Sequence, residues 1–259
     1  MKYTLNSVLT EHIGRGDDYL YVVNPDRVLQ TKLYQHLSEG DDIQNMRILA
    51  DKDDLKQPLG DFKVATQIAA LVERGDCKIR TLEEYDRTPL IGSSSGVSFW
   101  TQTEEGTFAT FQSTDSETTA VIESLTNEWE TADEYSIRTP GLSRLRETMR
   151  EELGEEFQRD FDMLLAEFDE LRGTGDGFDE VSLAILAAAR NELVAYNLTH
   201  WGEDVGLASK ATFSRSKQAL EEADLIETSK VRIELGRPRQ RLHLKNPDAE
   251  VTSLVQRFK

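Results

Sequence analysis

Cysteine is nearly missing from this chain: Cys77 stands alone in 259 residues. No intrachain disulfide can form, and such usage fits a reducing compartment. Histidine is scarce too, with four residues, and these with the one cysteine form no zinc-ligand spacing. No metal or cofactor is expected. No apolar run approaches the roughly 20 residues that span a bilayer. The start, Met1-Lys2-Tyr3-Thr4-Leu5-Asn6, leads into no signal-peptide core. The expectation is a soluble cytoplasmic protein with no membrane partner. Enzyme signatures are lacking as well. Gly173-Thr174-Gly175-Asp176-Gly177 has no strand before it and lacks the third spaced glycine of a dinucleotide loop. Among 48 acidic residues, a carboxylate pair carries no information about acid–base chemistry.

Positive charge is in short supply: 30 Lys and Arg face 48 Asp and Glu, for a net charge of −18. The deficit lies entirely in residues 1–176, which hold 18 basic and 36 acidic residues, while residues 177–259 hold 12 of each. Within the neutral part, Lys230, Arg232, Arg237, Arg239, Arg241 and Lys245 face Glu234 alone. Such a patch displaces condensed counterions from a phosphate backbone, although a solvated hairpin edge can carry the same charges. The acidic surplus, with more Arg than Lys, matches salt adaptation, in which surface carboxylates keep a protein solvated.

The order of elements predicts an α/β sensor or dimerisation domain over 1–137, a helical connector and Gly-rich linker over 138–176, a winged helix-turn-helix over 177–247, and a tail over 248–259. Strands are expected at 19–23, 46–50, 77–82, 90–91, 97–100 and 107–111, and helices at 27–37, 61–72 and 116–129. In the connector, Phe157, Phe161, Leu164, Leu165, Phe168 and Leu171 form an apolar stripe that fits either a core face or a dimer seam. If the first three strands run parallel, Asn24, Asp51 and Thr81 lie at their carboxyl ends, where α/β domains bind ligands. A small metabolite, phosphorylated or not, is the candidate effector there. Asn24-Pro25-Asp26 more often reads as a plain helix start. Ser93-Ser94-Ser95-Gly96 reads as a hairpin turn before it reads as an anion cradle.

In the C-terminal part, Asp179 caps a first helix to Arg190, and Leu193-Val194-Ala195-Tyr196 can pair as a short strand. Thr199 is expected to cap a short helix through Val205. Gly206 permits the turn and Ser209 caps the next helix. There Phe213, Ser216, Leu220 and Ala223 form the inward stripe. Lys210, Thr212, Ser214, Arg215 and Lys217 face outward, with Arg215 placed for a guanine and Thr212 for a thymine methyl or a phosphate. In the hairpin, Val231, Ile233, Leu235, Leu242 and Leu244 are expected inward. Arg232, Arg241, His243 and Lys245 are expected outward, with Arg237 and Arg239 at the tip.

Several strings here carry a family likeness: Trp201-Gly202-Glu203-Asp204-Val205-Gly206, Ala208-Ser209-Lys210-Ala211-Thr212-Phe213-Ser214-Arg215 and Gly236-Arg237-Pro238-Arg239. With Arg138-Thr139-Pro140, Leu142-Ser143-Arg144, the 175–181 segment and Val22-Val23-Asn24-Pro25, they resemble the TbsP family of haloarchaeal transcriptional regulators across essentially the whole chain. The resemblance implies a double-stranded DNA partner, genes of central carbon metabolism as targets, and salt adaptation as the origin of the acidity. A homodimer is expected, since two-fold symmetry doubles readout on a pseudo-palindromic site. The N-terminal pattern is also similar to half of a phospholipase-D-like fold. Its His-x-Lys-x4-Asp signature is met only by His243-Leu244-Lys245 with Glu250, on the wing. Two rival readings remain: an adaptor that docks another protein through its winged helix, and an enzyme hidden in residues 1–137.

Overall fold

The computed structural model describes residues 5–13, 19–26, 29, 33, 45–56, 58–83, 87–103, 106–113, 115–167, 179–232 and 238–247. The chain divides into two compact units, Met1–Gly60 with Gln67–Ile137, and Asp61–Thr66 with Arg138–Lys259. It is a mixed α/β protein with a helix-turn-helix in its second unit.

The first unit is built on a seven-stranded sheet of order β6-β5-β4-β1-β2-β3-β7. Its strands are β1 (Leu20–Val23), β2 (Met46–Asp51), β3 (Cys77–Leu82), β4 (Leu90–Ser93), β5 (Gly96–Thr103), β6 (Gly106–Ser113) and β7 (Asp133–Glu134). β1, β2 and β3 pair in parallel, and β1 is the unbroken apolar run expected of a strand covered on both faces. All four residues of β1 are buried. β4, β5 and β6 form an antiparallel meander alongside β1. Ser94 and Ser95 make the two-residue turn between β4 and β5, so this serine run is the hairpin turn. At Gly96, φ is +152° and a Cβ would sit 2.2 Å from the Gln112 carbonyl oxygen, so glycine is required there.

Helix α1 (Leu5–Ile13) contacts the meander. Its His12 is buried, with Nδ1 2.9 Å from Ser93 Oγ and Nε2 2.9 Å from Ser98 Oγ. Helix α2 (Lys52–Lys56) follows β2, and α3 (Phe62–Arg74) precedes β3. Helix α4 (Ser116–Thr131) opens with a capping box, in which the Asp115 carboxylate accepts from the Glu117 and Thr118 amides and Thr118 Oγ1 accepts from the Asp115 amide. Those donors hold the Asp115 carboxyl below its usual range, the Thr118 amide first among them. Leu125 and Trp129 of α4 pack with Tyr21, Val23, Leu49, Leu90 and Val97 of the sheet. Of the helix expected at 27–37, only Leu29 and Leu33 are described, and both are buried. The linker 173–177, Phe168, Leu171 and the tail 248–259 lie outside the described residues.

The second unit comprises α5 (Leu142–Glu152), α6 (Glu155–Ala166), α7 (Glu180–Arg190), α8 (Ala195–Asp204), α9 (Lys210–Glu222) and the antiparallel pair β8 (Ile226–Val231) and β9 (Arg239–Leu244). Helix α7 is buried continuously from Val181 to Ala189, as befits a central helix that is apolar all round. Asp179 caps it by accepting from the Ser182 amide at 2.7 Å. Residues 138–166, read from sequence as a connector, belong to this core. Leu145, Met149, Phe157, Phe161, Leu164 and Leu165 pack with α7, Trp201 and Phe213. The described part of the stripe is thus a core face, and each such side chain contributes about 1.5–3 kcal/mol by leaving water. Phe62, at the start of α3, meets Phe161 edge-on at 6.5 Å and belongs to the same core. The expected strand at 193–196 shrinks to one bridge, Val194 with Arg241, because the chain turns into α8 immediately afterwards.

Candidate nucleic-acid interface

Helices α8 and α9 make the helix-turn-helix. Thr199 does not cap α8. The helix starts one turn earlier, with Val194 as its N-cap, and Thr199 Oγ1 donates to the Ala195 carbonyl from inside it. The earlier start lets Leu198, Trp201 and Val205 all face the core. The Trp201 indole donates to Thr148 Oγ1 at 3.0 Å and meets Phe157 edge-on, tying α8 to α5 and α6. Gly206, at φ +82°, makes the turn, and Ser209 Oγ caps α9 by accepting from the Thr212 amide at 3.2 Å. Gly202 sets the distance between the two helices. A Cβ there would lie 2.3 Å from the Phe213 ring. On α9, Phe213 and Leu220 are buried and Ser216 is half-buried. Ala223 is exposed, because the helix ends at Glu222 and the chain re-enters the core only at Leu225 and Ile226.

The outward face of α9 separates its cations into two kinds. Lys210 Nζ lies 2.5 Å from Glu203, a bond that raises its pKa. Lys217 is half-buried, bridging both Glu221 oxygens at 3.2 Å and Gln240 Oε1 at 3.3 Å, and so links α9 to the wing. Arg215 and Ser214 are exposed. Arg215 has no ion pair or hydrogen bond among the described residues. Thr212 Oγ1 lies 3.0 Å from Ser209 Oγ.

The wing's register corrects one expectation. Val231 pairs with Arg239, and Thr228 with Leu242. Side chains alternate with period two, so Val231 shares a face with Ser229, Arg239 and Arg241 and lies opposite Leu242 and Leu244. Arg239 lies over the Tyr196 ring at 3.9 Å, and its Nη1 is 3.5 Å from Asn197 Oδ1. Arg241 is half-buried, and its Nε is buried without a partner among the described residues. His243 meets Ser229 Oγ at 2.7 Å and Glu192 at 3.6 Å. Lys245 pairs with Glu227 at 3.1 Å and Asp224 at 3.5 Å, which raise its pKa, the Glu227 bond most. Arg232 is exposed, and Arg237 lies outside the described residues.

Sequence reading missed Tyr196, assigned there to a strand. It is 50% exposed at the start of α8, beneath Arg239 and 5.8 Å from the His200 ring. An aromatic ring one turn before a helix-turn-helix core, with arginines on the wing, was the available signal. At the base of this unit, burial pushes the Glu180 carboxyl up to about 7, and Asp179 and Asp61 add to the shift.

In the first unit, Asn24, Asp51 and Thr81 do stand at neighbouring carboxyl ends of parallel strands. Asn24 stitches backbone there: Oδ1 accepts from the Asp51 amide at 3.3 Å and Nδ2 donates to the Arg87 carbonyl at 2.8 Å. Asp51 Oδ1 accepts from the Asp53 amide, and Thr81 pairs across the ladder with Ala50 and Asp133.

No helix among the described residues is long and apolar enough to cross a membrane. A search of curated proteins finds no significant match. Among solved structures the chain is similar to TrmBL2, described as an archaeal chromatin protein with a novel mode of DNA binding, at 15% identity and a TM-score of 0.35. The likeness covers 51% of each chain, so this protein spans about half that structure's length. Residues 1–140 match the model "Transcriptional regulator TbsP-like, N-terminal". Residues 141–258 match its partner, "Transcriptional regulator TbsP-like, C-terminal HTH domain". The chain therefore belongs to the TbsP-like transcriptional regulators.

Proposed function

We propose that this protein is a cytoplasmic, non-catalytic homodimer that binds a double-stranded operator. Helix α9 enters the major groove with Arg215 on a guanine edge and Thr212 and Ser214 on neighbouring base or phosphate groups. The wing follows the backbone through Arg232, Arg237 and Arg239. Tyr196 holds the Arg239 guanidinium flat, so little side-chain entropy is lost when a phosphate arrives. Lys210, Lys217 and Lys245 shape the surface through their carboxylate partners, and Arg241 supports the wing from its inner edge. The observation that carries this reading is Arg215: a guanidinium with no partner among the described residues, on the exposed face of a capped second helix whose other cations, Lys210 and Lys217, are paired. A small metabolite bound by the first unit would change operator affinity to the extent that it favours one dimer geometry. Target genes in central carbon metabolism, and an acidic surface suited to high salt, follow from the family resemblance.

The test is enrichment of fragmented genomic DNA by the purified full chain at high KCl, beside an Arg215→Ala/Arg239→Ala variant. A few promoter fragments should be enriched and should be lost with the variant. Enrichment indifferent to both arginines, or none at all, would sink the proposal and favour a protein-docking role for the winged helix.

A further inference from the structure

The first unit contains a cavity of about 490 Å³ between α4 and the β4–β5 hairpin. It lies at the opposite end of β1 from Asn24 and Asp51, with Tyr19 entering just before that strand. This size is typical of small-molecule sites. The hydroxyls on its helical wall have already given their protons away. Thr119 Oγ1 donates to the Asp115 carbonyl at 2.7 Å and Thr126 Oγ1 to the Ile122 carbonyl at 2.9 Å. Toward the cavity these oxygens can only accept, Thr126 Oγ1 with the lone pair left over from the Tyr21 hydroxyl, which donates to it at 3.4 Å. The Glu123 carboxylate on the same wall is an acceptor too. Neither Glu123 nor the Asn127 amide makes a hydrogen bond or ion pair among the described residues. The lining thus asks for a ligand rich in donors.

Charge narrows the class. Among the described lining residues there is no Lys, Arg or His, so a phosphate or carboxylate would meet Glu123 with no cation in the lining to offset it. A cationic ligand is disfavoured for a different reason. The Tyr19 ring, the cavity's aromatic surface, already carries the Arg47 guanidinium 5.1 Å from its centroid. Tyr19 and Ile122 offer apolar surface for the C–H face of a ring.

We propose that this cavity binds an uncharged, polyhydroxylated ring compound of one or two rings. It does so through the acceptor oxygens of Thr119, Thr126 and Glu123, the Asn127 amide, and stacking on Tyr19. This deepens the effector part of the function proposed above and rests on it for biological meaning. The binding measurement involves no DNA, so failure here and failure of operator recognition are separable. The full chain is titrated calorimetrically with glucose, ribose and adenosine, which separate sugars from nucleosides, and with glucose 6-phosphate and glucosamine as charged counterparts. At least one neutral compound should bind saturably and raise Tm, and the charged counterpart of a bound sugar should bind about ten-fold more weakly or worse. Asn127→Leu and Glu123→Leu should each weaken binding about ten-fold and leave the unliganded Tm unchanged, since both residues are exposed. Preferred binding of a charged compound overturns the proposal. So does the absence of saturable binding by any neutral one, or binding indifferent to both substitutions.

Discussion

Glu180 makes the stability of the helix-turn-helix unit depend on pH in an unusual direction. It is the first residue of α7, and its Oε2 is buried without a hydrogen-bond partner among the described residues. Burial raises the carboxyl from 4.5 to about 7. A raised acid binds its proton more tightly in the folded state than in the unfolded one. Between these two pKa values the native state therefore holds more protons, and stability falls as pH rises. The shift corresponds to about 3 kcal/mol in full. About 1.4 kcal/mol of it should be regained between pH 8 and pH 6, and about 2.5 between pH 8 and pH 5. Most carboxylates that fold into favourable contacts do the opposite, so the reference is Glu180→Gln, which mimics the protonated form at every pH. The assay is native-state hydrogen exchange of the α7 amides in both proteins from about pH 8 to about pH 5, after correction for intrinsic exchange rates. The variant should be the more stable at high pH, and the difference should shrink on acidification by about the amounts above. Parallel pH curves for the two proteins would refute the argument, because burial would then not be holding the Glu180 proton.

Gly202→Ala removes a poor helix former, worth about 1 kcal/mol in favour. It also forces a methyl against the buried Phe213 ring, and overpacking costs about 1–3 kcal/mol. The variant should melt lower and lose operator affinity, and Phe213→Leu should recover part of the stability loss, as thermal melts will show. Arg215→Ala should weaken operator binding by about 1–3 kcal/mol and relax specificity at one base position. Lys217→Met should change affinity far less, because its ammonium already serves Glu221 and Gln240; equal losses in a competition assay would undo that distinction. Tyr196→Ala should slow association and weaken binding without base preference, by about 0.5–2 kcal/mol, readable as a uniform affinity loss across operator variants.

What could be read from the sequence was what local chemistry decides. Asp179 and Ser209 cap helices because a short oxygen side chain precedes an amphipathic run, and Gly206 turns because no other residue takes its φ cheaply. β1 announced itself by an unbroken apolar run and β3 by alternation. Errors began where a long-range contact chose between local options. Thr199 resembles a cap, yet the core positions of Leu198 and Trp201 pull the helix start back to Ala195. Val231 alternates plausibly with Leu242 in the sequence, but ladder register sets it beside Arg239. The stripe on α6 fits a seam as well as a core until its partners on α7 are known. For the same reason the cavity was not legible. Its lining comes from Tyr19, a hairpin and α4, brought together only by the order of the sheet.

Ion pairing on the DNA-binding unit also bears on how an acidic protein can hold an acidic polymer. Lys210, Lys217 and Lys245 have carboxylate partners. Lys230, Arg215, Arg232, Arg239 and Arg241 have none among the described residues, and Arg237 lies outside them. If the lysine pairs persist on DNA, at most the latter six can release counterions, for a slope of log K against log salt of about −5 per protomer. If every pair opens to reach phosphate, nine cations give about −8. In concentrated salt counterion release yields little, and base contacts and shape must supply affinity. Arginine dominates the unpaired set for a reason in its chemistry, since its guanidinium is weakly hydrated and binds phosphate or guanine with two parallel hydrogen bonds. Measuring operator affinity across a range of KCl separates the cases. A slope near −8 would show that Lys210, Lys217 and Lys245 abandon their carboxylates on binding, and the division of the surface into reading arginines and structural lysines would fall.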